Sequence, residues 1–235
     1  MSERAAARTA VATRPFTFTG CVELREILGR RARDEQELME EIEGLPAESI
    51  YYHTSTVFLR RPLVAGSYPN DFAIWVGTQI RDQVLAERLG MVDPFQFDSP
   101  ERVREEILSV LDDHLEGISL VPRIVFGDPF FFVRSHIIEV PTGLEARTLR
   151  EFRGALAEVD VSALYLHALD ARARWGVPGG HFAEWIGEAL GLTLLSERVG
   201  RLNPYMGGLE RIRVMMLALI DAELDGAFAT ERSPR

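Results

Sequence analysis

The chain carries one pattern twice, and that repetition limits how it can fold more than any other feature. Pro15-Phe-Thr-Phe18 recurs as Pro129-Phe-Phe-Phe132, and Ile50-Tyr-Tyr-His53 recurs as Leu164-Tyr-Leu-His167, both at a spacing of 114 residues. Four residues are then lost before Phe72-Ala-Ile-Trp75 meets Phe182-Ala-Glu-Trp185, and that register holds through Leu85–Gly90 and Leu195–Gly200. Glu101-Arg-Val-Arg104 finally matches Glu210-Arg-Ile-Arg213. The 80 aligned positions contain 25 identities, against about 5 expected from average composition. The sequence therefore reads as a tandem internal duplication with pseudo-twofold symmetry. Its expected parts are a disordered arm (1–14), repeat copy one (15–117), an apolar connector (118–128), repeat copy two (129–226) and a disordered tail (227–235). A fused pair of this kind is expected to bury a self-complementary patch.

Within each copy the hydrophobic period gives a mainly α fold with one short β-strand per copy. Phe16 and Phe18 alternate at period two, and the aromatic and β-branched run Ile124–Val140 reads as the strand of copy two. Helices follow over Ala32–Glu43 and Leu149–Ala157, near Ile50 and near Ser162. A third helix is predicted from an N-cap at Asp71 to a C-cap at Gly90, and a fourth from Ser99-Pro100 to Gly117. In copy two the last helix is apolar nearly all round from Val214 to Ile220, which marks a central or interface helix.

Composition removes several function classes. All 26 basic residues are arginine, so lysine Schiff-base chemistry, a Ser–Lys dyad and a phosphate-loop lysine are excluded. A net charge of −10 argues against nucleic acid as a partner. The single cysteine, Cys21, forms neither an intramolecular disulfide nor a cysteine-rich zinc site. No apolar run reaches the roughly 18 residues of a membrane span, and no secretory signal opens the chain, so a cytoplasmic location is expected. His-Glu-x-x-His, the paired Glu-x-x-His of a di-iron bundle, Gly-x-Gly-x-x-Gly and Gly-x-Ser-x-Gly are all missing. No metal and no cofactor is expected.

The polar positions that recur are the candidates for chemistry. His53 and His167 follow aromatic stretches and read either as packed, hydrogen-bonded histidines or as ligands. With Glu87 or Asp71 added they would approach a metal-ligand set. Glu87-Arg88 and Glu197-Arg198 read either as a carboxylate or phosphate clamp or as inter-helix ion pairs. Glu101/Arg104 and Glu210/Arg213 share those two readings at i, i+3 spacing. Phe72/Trp75 and Phe182/Trp185 form an aromatic stripe expected in the core.

Phe16-Thr-Phe-Thr-Gly-Cys-Val-Glu-Leu-Arg25, Gly29-Arg-Arg-Ala-Arg33, Ile50-Tyr-Tyr-His-Thr54 and Asn70-Asp-Phe-Ala73 together resemble an uncharacterised bacterial and archaeal family, a domain of unknown function. The resemblance runs from Phe16 to Gly117 and is weaker in copy two, where Gly180-His181 replaces Asn70-Asp71. It implies that any binding role of Cys21, Arg25, Arg30, Arg31 or Asp71 belongs to copy one, and it brings no activity. The sequence thus favours a non-enzymatic helical scaffold or adaptor acting through a protein partner or self-association. The alternative is a small-ligand or metal-binding protein, an enzyme included, with a site near the duplicated His and Glu-Arg positions.

Overall fold

The computed structural model describes residues 10–60, 68–117 and 127–225. Most of the expected arm and connector, and the whole tail, lie outside them. Two strands, β1 (Val11–Ala32) and β2 (Phe130–Thr148), pair in a two-stranded antiparallel sheet. The helices that follow β1 are α1 (Glu35–Glu43), α2 (Ala47–Thr54), α3 (Val57–Arg60), α4 (Asp71–Trp75), α5 (Gln83–Gly90) and α6 (Pro100–Glu116). Those that follow β2 are α7 (Leu149–Glu158), α8 (Val161–Leu164), α9 (Ala171–Trp175), α10 (Gly180–Glu188), α11 (Thr193–Gly200) and α12 (Gly208–Asp225). The mainly helical expectation stands.

The expected short strands are in fact long, spanning 22 residues in β1 and 19 in β2. Val11–Arg14, assigned to the arm from the sequence, belong to β1. The reason is that Leu24–Ile27 and Ile138–Gly143 are exposed. Strand pairing holds them, so no apolar alternation betrays them.

The chain forms two compact units. Unit 1 comprises the residues up to Val22, Glu139–Arg172, and those from Val177 onward; unit 2 comprises Glu23–Ile138 and Ala173–Gly176. Each unit therefore takes its buried strand end from the opposite half of the sequence. In unit 1, Phe16 and Phe18 pack against Phe152, Phe182 and His167, with Phe16 also meeting Trp185. In unit 2, Phe130 and Phe132 join a core of Leu38, Ile42, Phe72, Leu89 and Ile107. The compact units therefore do not coincide with the two sequence copies.

Local chemistry explains the helix ends. Ser99 caps α6 through the Arg102 N–H, with Pro100 as the first helical residue. Thr148 and Glu151 make a reciprocal capping box at α7. The single helix expected from Asp71 to Gly90 is divided. A π-turn over Val76–Ile80 ends at Arg81, whose φ of 63° is left-handed, and Asp82 then caps α5. The N-cap of α4 is Asn70 rather than Asp71, which releases the Asp71 carboxylate for other partners. In α12 only one face is buried, through Ile212, Met216, Ile220 and Leu224, while Val214 is exposed; the helix is not the buried centre that its composition implied.

Candidate functional site

His53 reaches β2 from α2. Its Nε2 accepts the backbone N–H of Val133 at 3.1 Å, and Ser49 donates its hydroxyl to the Val133 carbonyl at 2.8 Å. An Nε2 that accepts is unprotonated, so the neutral ring carries its proton on Nδ1. That Nδ1–H points at Asp71 Oδ2 at 3.0 Å, and Arg60 Nη2 donates to the same oxygen at 2.7 Å. All three side chains are at least largely buried. Burial keeps the His53 imidazole below its ordinary range, despite the bond to Asp71. Burial also pushes Asp71 upward, but the His53 hydrogen bond and the Arg60 charge outweigh it and hold the carboxyl below its usual range.

His167 plays the matching part in unit 1. Its Nε2 accepts the Thr19 N–H at 2.9 Å, which again places the proton on Nδ1. Here the partner is the Nδ1 of His181, 3.4 Å away. Gly180 permits this approach: with φ at +81°, a Cβ there would stand 2.6 Å from the His167 carbonyl oxygen. Burial, with the nearby His181 charge adding to it, lowers His167 to about 3.

These bonds decide what the histidines can do. A ligand or proton carrier needs a free ring nitrogen, and each Nε2 is occupied by a backbone donor from a strand. Both rings therefore act as pins that hold β1 and β2 onto their helices. Trp75 and Trp185 do the same through Nε1–H bonds to the carbonyls of Asp128 and Arg14, each at 2.8 Å.

A titration consequence follows for His167. Its folded value of about 3 lies below the unfolded 6.5, so the unfolded chain binds the extra proton between those limits. This contribution to stability is complete above pH 6.5 and declines on acidification, by at most about 1.4 kcal/mol per pH unit. NMR of the imidazole is expected to show a neutral ring at pH 5. A His167 transition centred near pH 6 to 7 would contradict the pinned arrangement.

The other sequence candidates do not converge. Glu87 is exposed, and Arg88 pairs with Asp113 at 3.1 Å on α6. Glu197 pairs with Arg201 at 3.6 Å along its own helix, and Arg198 is partly exposed on α11. Glu101 is exposed, while Arg104 donates to the Leu45 carbonyl; Arg213 donates to the Leu156 carbonyl at 2.7 Å and pairs with Glu210. These arginines tie α6 and α12 to the chain just beyond α1 and within α7. Arg30 bonds the Gly44 and Glu41 carbonyls and the Glu41 carboxylate, so it caps the end of α1. Cys21 is buried, with its N–H bonded to the Ser162 hydroxyl. Phe72, Trp75, Phe182 and Trp185 are buried as expected.

Sequence reasoning missed Arg60, Tyr52, Glu23 and Ser135. Arg60 falls where the alignment of the halves breaks, although an arginine does recur at the same spacing as Arg174. Glu23, Tyr52 and Ser135 have no identical counterpart in the other half, so repetition does not mark them.

The chain is thus mainly helical, with two compact units and a two-stranded antiparallel sheet. The chain belongs to the Family of unknown function (DUF5752), whose pattern matches residues 13–221. A solved structure, "The structure of OrfY from Thermoproteus tenax", is similar with a TM-score of 0.76 and 28% sequence identity. The match covers 91% of this chain and 97% of that one. No curated protein matches the sequence.

Proposed function

We propose that the chain is a non-enzymatic helical scaffold that works in the cytoplasm through contact with copies of itself or with another protein. The observation that carries this reading is that both recurrent histidines, the most chemically capable repeated positions, are consumed by backbone bonds to the strands. Further support comes from apolar side chains left in water on the strand segments of unit 2. Leu24, Ile27, Phe131 and Ile138 are 57%, 76%, 56% and 51% exposed, an unusual allowance of large apolar surface for strands in water. The recurrence of the pinning bonds also supports an origin by duplication, since the His-to-strand pairs repeat at 114 residues and the Trp-to-carbonyl pairs at 110 for the tryptophan and 114 for the carbonyl, the spacings that align the halves. Among the described residues no helix is long and apolar enough to cross a membrane.

Sedimentation and native mass spectrometry of the purified chain test the reading together. The expected result is an assembly heavier than the 26.4 kDa chain, reduced to a monomer by the Leu24→Lys/Ile138→Lys double variant. A 26.4 kDa species carrying a small molecule that is released on denaturation would contradict it.

A further inference from the structure

Unit 2 contains a polar constellation that strand pinning does not use. The ring of Tyr52, on α2, is buried, and two guanidinium groups lie against it. The Cζ of Arg60 is 4.1 Å from the ring centroid and that of Arg25, on β1, is 5.9 Å away. Both arginines are anchored from one side. Arg60 gives Nη2 to Asp71 and, at 2.9 Å, to the Tyr52 carbonyl, and gives Nε to the Thr56 hydroxyl at 3.3 Å. Arg25 gives Nε to Glu23 at 2.7 Å, and the other Glu23 oxygen accepts from Ser135 at 3.1 Å. Nη1 of Arg60, both terminal nitrogens of Arg25 and the Tyr52 hydroxyl then have no partner among the described residues.

The fold does not demand this cluster. At the spacing that aligns the halves, Glu23, Arg25 and Tyr52 become Ile137, Glu139 and Leu166, and Asp71 becomes His181. Unit 1 nevertheless builds the same phenylalanine core and the same histidine-to-strand bond. The buried Glu23 carboxylate, kept where the other half has Ile137, points to use rather than to stability.

We propose that Arg25, Tyr52 and Arg60 bind the phosphate group of a small solute. Their free donors come from three different elements and not from one planar fork. A single guanidinium fork would satisfy a carboxylate, whereas a tetrahedral phosphate presents oxygens in several directions. Glu23 and Asp71 balance the two guanidinium charges, so binding is weak, on the order of millimolar. The site is independent of the scaffold reading and would make the contacts of such a scaffold responsive to a phosphorylated solute or to phosphate itself.

The test is a titration of the full chain with inorganic phosphate at constant ionic strength, followed by amide NMR. One saturable site is expected. Arg25→Gln should weaken it at least about tenfold, the loss of a charge-assisted contact, measured well below the variant's own melting temperature because the buried Glu23 carboxylate then loses its cation. Tyr52→Phe should weaken it about threefold or more, since only the hydroxyl is removed. Glycerol phosphate binding more tightly than inorganic phosphate identifies a phosphomonoester as the source; equal binding identifies free phosphate. Failure to saturate, unchanged binding in Arg25→Gln, or acetate binding as tightly as phosphate would overturn the assignment.

Discussion

Asp71→Ala is expected to destabilise unit 2 by roughly 3–5 kcal/mol, the usual effect of removing one partner of a buried ion pair. The change takes the acceptor from Arg60 Nη2 and from His53 Nδ1–H at once. Both donors are buried, so water does not replace the lost carboxylate at low cost. A fall of roughly 10 °C in the unfolding midpoint follows at this chain length. Asp71→Asn keeps an acceptor without the charge and should lie between the variant and the wild type. The pH profile separates the charge from the packing. Because the folded Asp71 carboxyl sits below the ordinary range of an aspartate, its stabilisation is complete above that range and is lost as pH falls through the folded value. In Asp71→Ala this acid-limb loss disappears. An unchanged midpoint would mean that the Arg60–Asp71–His53 network carries no weight.

Phe18→Ala is the second large effect. The ring is fully buried and meets Phe16, Phe152 and Phe182, so truncation leaves a cavity in an aromatic core. Truncations of this kind cost roughly 3–5 kcal/mol. The residue lies near the start of the sequence, yet its packing partners Phe152 and Phe182 follow β2. The loss should therefore fall on unit 1 and leave the Phe130 and Phe132 core of unit 2 intact. Denaturant unfolding of Phe18→Ala beside Phe132→Ala checks this, with each variant lowering a different transition.

How far the sequence reveals these features depends on the kind of signal each one leaves. Caps and amphipathic faces are local, so α6, with Ser99 and Pro100, and α1, with Leu38 and Ile42 inward, are readable from spacing. The recurrent Phe and His positions are readable because both halves keep them. The break at Arg81 left no such mark, since a left-handed arginine has no composition signature. Long strands held by pairing over an exposed stretch show no apolar period. The exchange of strand ends is hidden for a deeper reason: when both halves carry the same Phe-x-Phe and the same histidine, the pattern fits either half's helices equally well. Of the site candidates, Asp71 was visible and its partner Arg60 was not, because three-dimensional closure rather than repetition brings them together.

Hydrogen exchange of Phe18→Ala, resolved along the chain, tests the central claim that each compact unit is closed by the strand end of the opposite half. The predicted result is accelerated exchange in α7, α10 and α11, with α1, α2 and α5 as protected as in the wild type. Faster exchange confined to α1, α2 and α5 would show that Phe18 serves the helices that follow it in sequence, and would contradict the composite units.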